Sequence, residues 1–190
     1  GMAHALETVL QAARLLQRRP EIVFLLVGDG AERDRILKER DRMGLKNVLM
    51  LPQQTKDMVP QILAASDACM VLLRKTELFK TVIPSKIFEA MAMERPILLG
   101  VEGESRGIIE QGECGIAVEP ENAAALAEGV MALFSDPERA ARTGRNGAAW
   151  VRQHYSRDAL AARYLDILTD VLAGRRYFAE SVSPVTASDG

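Results

Sequence analysis

Hydrophobic residues recur along this chain in two alternating rhythms. Leu6, Val9, Leu10, Ala13 and Leu16 fall at helical spacing and Pro20 stops them, which predicts an amphipathic helix over 5–19. Residues 21–27 then form a continuous apolar run, the pattern of a strand buried on both faces of a parallel sheet, and Gly28, Asp29 and Gly30 end it sharply. The sequence of events repeats. A charged helix over 32–43 keeps Ile36, Leu37 and Met43 for its inner side and stops at Gly44, and a strand at 47–51 closes in Pro52. Asp57 is placed to cap a helix through Ile62, Leu63 and Ala64, ahead of a strand at 68–73. A polar loop over 74–83 leads into a helix that runs to about residue 93, followed by a strand at 97–101, a short helix at 105–111 and a strand at 116–118. Strand and helix in alternation predict an α/β domain with a doubly wound parallel sheet.

Beyond Asn122 the rhythm is helical only, over 123–134, 137–154 and 157–172, with Ser156 marking the start of the last helix. Leu160, Tyr164, Ile167, Leu168 and Val171 give that helix an apolar stripe, and such a stripe left uncovered favours self-association, so a homo-oligomer is a possible state. After Gly174 the composition turns polar. Residues 1–174 therefore read as one domain and 175–190 as a tail.

Composition narrows the function. With 48% of its 190 residues hydrophobic the chain supports one good core, and a formal charge of −2 with both signs mixed argues against nucleic-acid binding and against a polybasic membrane anchor. Its apolar runs are strand-sized, well short of the roughly 18 residues that a membrane helix needs. Cys69 and Cys114 lack any CxxC or His-Cys spacing and read as reduced thiols of a cytoplasmic protein. His4 and His154 stand apart without ligand-spaced partners, so no metal site is expected.

The candidate chemistry lies in Phe79 to Gly100, FKTVIPSKIFEAMAMERPILLG. Pro84 suits the first turn of a helix, and Ile87, Phe88 and Met91 supply its inner stripe. Ser85 and Glu89 lie one turn apart on another face, with Lys86 near both. A hydroxyl, an ammonium and a carboxylate thus gather at a helix N-terminus, a place suited to a phosphate. The same residues also suit an ordinary cap and an ordinary exposed ion pair. Lys75, Lys80 and Thr81, in the loop before this helix, are within reach of an anion bound there. Gly28 and Gly30 carry two readings too. They stand where backbone can approach a phosphate, and they equally serve as glycines of a tight turn. Arg33 occupies the third glycine position of the dinucleotide fingerprint and no acidic residue ends the next strand, which speaks against NAD; no cofactor is expected.

The run PSKIFEAMAMERPILLG resembles the signature of the group 1, or family 4, glycosyltransferases, in which a glutamate opens E-A-M-A, a Gly-X-Pro strand follows and a nucleotide-sugar is held. It looks most like the branch that builds bacterial surface polysaccharides. LLVGDGAERDRI from Leu25, ILAASDACMVLL from Ile62 and GIAVEPENAAALAEGVMALFSDPE from Gly115 agree with it. The resemblance implies a Rossmann-like domain, the C-terminal, donor-binding half of a GT-B enzyme. It implies retaining, metal-independent transfer from a nucleotide-sugar, a UDP-sugar, to a growing polysaccharide or lipid-linked acceptor.

In that scheme Ser85 and Lys86 neutralise the leaving diphosphate, Glu89 accepts hydrogen bonds from the ribose, Gly28 and Gly30 lie on the donor side of the cleft, and Thr81 is the catalytic-position residue facing the sugar. Thr81 stands where many members of the family carry a second glutamate, and Met93 and Glu94 stand where a glycine is usual. The resemblance further implies an N-terminal acceptor domain as partner, membrane association of a full-length enzyme, and a first strand, with its glycine-basic turn, ahead of the helix over 5–19. The chain is accordingly expected to transfer no sugar alone. The strands of 23–27 and 69–73 are expected to close on each other, or to accept a segment exchanged between chains, with the stretch 177–185 the candidate to fill the place between them. Two alternatives stay open: a sugar-nucleotide epimerase, which would want a histidine near the cleft, and a non-catalytic nucleotide-binding or interaction module.

Overall fold

The alternation of strand and helix is realised as parallel β-structure sandwiched between helices, in a computed structural model that describes residues 4–173 and 175. In chain order the elements are α1 (Leu6–Leu15), β1 (Phe24–Val27), α2 (Arg33–Arg42), β2 (Val48–Leu51), α3 (Val59–Ala64), β3 (Cys69–Leu72), α4 (Lys86–Ala92), β4 (Ile97–Gly100), α5 (Glu104–Gln111), β5 (Gly115–Ala117), α6 (Ala123–Ser135), α7 (Pro137–His154) and α8 (Arg157–Leu172). The expected α/β class and parallel pairing are observed. β1 pairs with β2, Leu25 opposite Leu49, while β3, β4 and β5 form a second ladder in that order, Cys69 opposite Ile97 and Ile97 opposite Gly115.

Alternation along β3 and β4 divides the core between two layers. Met70, Leu72 and Leu98 join Val9, Leu10, Ala13, Ile36 and Leu126 beneath α1, α2 and α6. Val71, Ile97 and Leu99 join Ile87, Met91, Ile108 and Ile109 beneath α4 and α5. Both faces of this ladder are therefore covered, as a parallel sheet requires.

Two expectations need correction. The run of 21–27 is not buried on both faces, and its neighbour at 47–51 shares the pattern: Phe24, Leu26, Val48 and Met50 face the core, but Val23, Val27, Leu49 and Leu51 are exposed. The cause is coverage, since α1 and α2 pack on one side while α3, the crossover to β3, buries no residue. Nor do β1 and β3 close on each other, for they belong to separate ladders among the described residues. Side chains of both, Phe24 and Leu26 from one and Met70 and Leu72 from the other, pack into the same layer, so packing on common helices sets their spacing. The stretch 177–185 lies outside the described residues.

Side-chain caps set three of the eight α-helix starts among the described residues. Asn122, Asp136 and Ser156 accept bonds from Ala125 N, Arg139 N and Ala159 N, starting α6, α7 and α8. Gly44, at φ 64°, ends the turn after α2. Asp57 caps nothing and lies inside a 3₁₀ turn over Lys56–Met58, after which Pro60 sits in the first turn of α3. Along α8 no residue is buried, and Leu160, Tyr164, Leu168 and Val171 are exposed as the stripe predicts. None of the helices among the described residues is long and apolar enough to cross a membrane.

Candidate functional site

The site expected from the sequence lies where the loop after β3 turns into α4. A 3₁₀ turn, Glu77–Thr81, is started by Thr76, whose hydroxyl accepts from Phe79 N at 3.4 Å. Val82 is extended (φ −91°, ψ 130°), and Ser85 takes the N-cap position of α4, with Pro84 one residue ahead of it. Ser85 makes no capping bond with its side chain; the turn is closed by backbone, Ile87 N donating to Pro84 O at 3.1 Å and Phe88 N to Ser85 O at 3.0 Å. Its hydroxyl is thereby not consumed by the ordinary cap role.

The helix is anchored from behind. Ile87, Ala90 and Met91 are fully buried, and Phe88 stacks at 4.6 Å on Tyr155. α7 approaches it closely at two glycines, since a Cβ on Gly144 would come 2.0 Å from Glu94 O and one on Gly147 would come 3.2 Å from Met91. Buried on one side and bare on the other, α4 presents Ser85, Lys86 and Glu89 on its exposed face. Lys86 Nζ lies 3.4 Å from His4 Nε2, which brings that histidine beside the site. The Cys69 thiol is pushed up by burial, with Lys86 lowering it and Glu89 raising it, which places both charges around the start of β3.

Thr81 is exposed, and its hydroxyl donates to Leu78 O at 3.1 Å within its own turn. The other cations of this loop are committed elsewhere. Lys75 Nζ meets Glu119 Oε1 at 3.0 Å, Lys80 Nζ meets Glu77 at 2.8 Å and Glu102 at 3.8 Å, and Arg74 lies 3.8 Å from Glu7. The Glu119 carboxyl is held below the usual range by Asn122 and then by Lys75. These pairs surround a shallow depression between the loops that follow β3, β4 and β5, lined by Lys75, Phe79, Lys80 and Glu102. Of Lys75, Lys80 and Lys86, only Lys86 has no carboxylate partner among the described residues.

Gly28 and Gly30 follow β1, on the other ladder, at the carboxyl end of that strand. Their φ values of 141° and 145° account for glycine by conformation alone. Space is open beyond Gly28, and Gly30 N donates to Asp29 Oδ1 at 2.7 Å. Sequence reasoning missed the scaffold on α5, where Ser105 Oγ donates to Val82 O at 2.7 Å and Gly103 presses on Lys80. The glycine between a strand and a helix was its only visible signal.

The profile of a family described as "Glycosyl transferases group 1" matches residues 3–150. The chain belongs to the group 1 glycosyl transferases. It is 32% identical over 141 residues to the "Putative colanic acid biosynthesis glycosyl transferase WcaI" of Escherichia coli, a match covering 73% of the chain and 34% of WcaI. Its fold is that of Anabaena Alr3699/HepE, solved in complex with UDP and glucose, with a TM-score of 0.69 and 24% identity over 85% of the chain and 44% of HepE. It also matches the C-terminal domain of the group 1 protein LpcC from Francisella tularensis, with a TM-score of 0.67 and 20% identity over 83% of the chain and 82% of that domain. The chain thus has the Rossmann-like architecture of the C-terminal domains of GT-B glycosyltransferases. It spans about a third of the length of WcaI.

Proposed function

We propose that residues 1–174 are the donor-binding half of a glycosyltransferase that moves a sugar from a UDP-sugar to a growing cell-surface polysaccharide or lipid-linked acceptor, the acceptor side belonging to another domain of the whole protein. The observation that carries the reading is the exposed triad Ser85, Lys86 and Glu89 on a helix clamped from behind, in a fold whose relative HepE was solved with UDP and glucose. Likeness to WcaI, described as a colanic acid biosynthesis transferase, supports the polysaccharide acceptor.

In this reading Lys86 and Ser85 meet the diphosphate. α4 spans seven residues and sums few peptide dipoles, so the ammonium supplies most of the charge that stabilises the leaving group. Glu89, acceptor-only when ionised, takes two hydrogen bonds from the ribose hydroxyls. Thr81 faces the sugar with a neutral hydroxyl where many members of the family carry a carboxylate. Departure of the nucleoside diphosphate is then assisted by protein groups, and transfer retains the configuration of the donor sugar.

Calorimetric titration with UDP, GDP, ADP and CDP tests this. Saturable binding of UDP is expected. No binding of any of them at millimolar concentration would contradict a donor domain and favour a non-catalytic module.

A further inference from the structure

We propose that Ser105, together with Gly103, is a positioning residue for the donor turn, acting through the backbone of Lys80 and Val82 and touching no substrate. The inference rests on the nucleotide-sugar reading of Ser85 and Lys86.

Ser105 lies in the first turn of α5 and is 0% exposed. A serine hydroxyl removed from water needs a partner, and its bond goes to Val82 O at 2.7 Å, 23 residues back along the chain. Two residues earlier Gly103, at φ 75°, brings its backbone so close to Lys80 that a Cβ would stand 2.0 Å from Lys80 O. Glu102 adds an ion pair to the Lys80 ammonium at 3.8 Å. Three of four successive residues, 102, 103 and 105, therefore grip residues 80 and 82, and exposed Thr81 stands between the two gripped positions.

The consequence lies downstream. Ile87 is fully buried, so residues 83–86 hang between two fixed points, Val82 on Ser105 and Ile87 in the core. Ser85 and Lys86 are in that span. Pro84 stiffens it further by limiting both its own φ and the conformation of Ile83. A site that must place a hydroxyl and an ammonium on a diphosphate gains affinity from holding this span still before the ligand arrives. Glu89 lies beyond Ile87 and depends less on the grip.

The test compares wild type, Ser105→Ala and Ile109→Val, the last trimming a buried contact of the same helix without touching the Val82 bond. UDP affinity is measured by calorimetry, and hydrogen exchange is followed at the amides of Ile87, Phe88 and Glu89, which bond to Pro84 O and Ser85 O. Expected for Ser105→Ala is an affinity loss of about threefold or more with faster exchange at those amides, while Ile109→Val binds as wild type does. Equal affinity of wild type and Ser105→Ala, an affinity loss with unchanged exchange, or an equal loss in Ile109→Val would each overturn the positioning role alone. Wild type failing to bind UDP would overturn the nucleotide reading and this inference with it. Should Ser105→Ala not fold, Ser105→Cys, of similar size but a weaker donor, is read against the same outcomes.

Discussion

Lys75 Nζ lies 3.0 Å from Glu119 Oε1 and so ties the loop after β3 to the loop after β5. The pair is closed further by Lys75 N, which donates to Glu121 Oε2 at 2.8 Å. An ammonium held this way is a poor phosphate ligand, because binding one anion means leaving another. Lys86 has no such tie to a carboxylate among the described residues. Lys86→Ala is therefore expected to weaken UDP binding by about tenfold, the worth of one charged hydrogen bond, and Lys75→Ala by less than about twofold. Parallel titrations of the two variants check this, and the reverse order of effects would move the phosphate to the depression beside Lys75.

At Gly144 a single added methyl meets backbone. Its Cβ would fall 2.0 Å from Glu94 O, so Gly144→Ala forces α7 away from α4, at a cost of about 1–3 kcal/mol from overpacking. Urea denaturation reads the loss of stability directly. A variant as stable as wild type would show that α7 does not set the position of the site helix.

Gly28 separates conformation from ligand contact. A Cβ there meets nothing within 4 Å, yet φ is 141°, so Gly28→Ala is expected to lose about 1–3 kcal/mol of stability through backbone strain alone. Denaturation curves and UDP titration on the same variant distinguish the roles. Loss of affinity in a protein of unchanged stability would assign the glycine to the ligand.

Cys114 gives the protein an alkaline limit. Burial pushes its thiol from the ordinary 9.0 up to about 11, so the native state keeps a proton that the unfolded chain gives up. That contribution to stability is complete below about pH 9 and is lost as pH rises toward about 11. Urea midpoints should fall across that window, and less steeply in Cys114→Ala than in wild type. Identical slopes would remove the thiol as the cause.

Several helix limits were legible from local caps and stops, although Pro20 and Asp57 mark none, since α1 ends at Leu15 and α3 begins at Val59. Asp136 with Pro137, Ser156 and Gly44 each fix a boundary within three or four residues of chain, and α7 and α8 fall where the sequence puts them. The site helix was legible for the same reason, since Ile87 and Met91 mark its inner side and leave Ser85, Lys86 and Glu89 outside. What escaped depends on distant partners. An apolar run at Val23 or Leu49 does not say whether a helix will cover it, and α3 does not. The fate of Lys75 is decided 44 residues later at Glu119, and that of Val82 by a serine 23 residues on. No spacing rule links such positions.

The most direct test of the account is UDP titration of wild type beside Glu89→Gln. Glu89 is exposed, so the amide should leave the fold intact, as circular dichroism and the thermal midpoint will report. A carboxylate that accepts from a ribose contributes about 1.5–3 kcal/mol more than nothing at all, and its replacement should weaken binding at least about tenfold. Equal affinity of the two proteins would take Glu89, and with it the exposed face of α4, out of the nucleotide site.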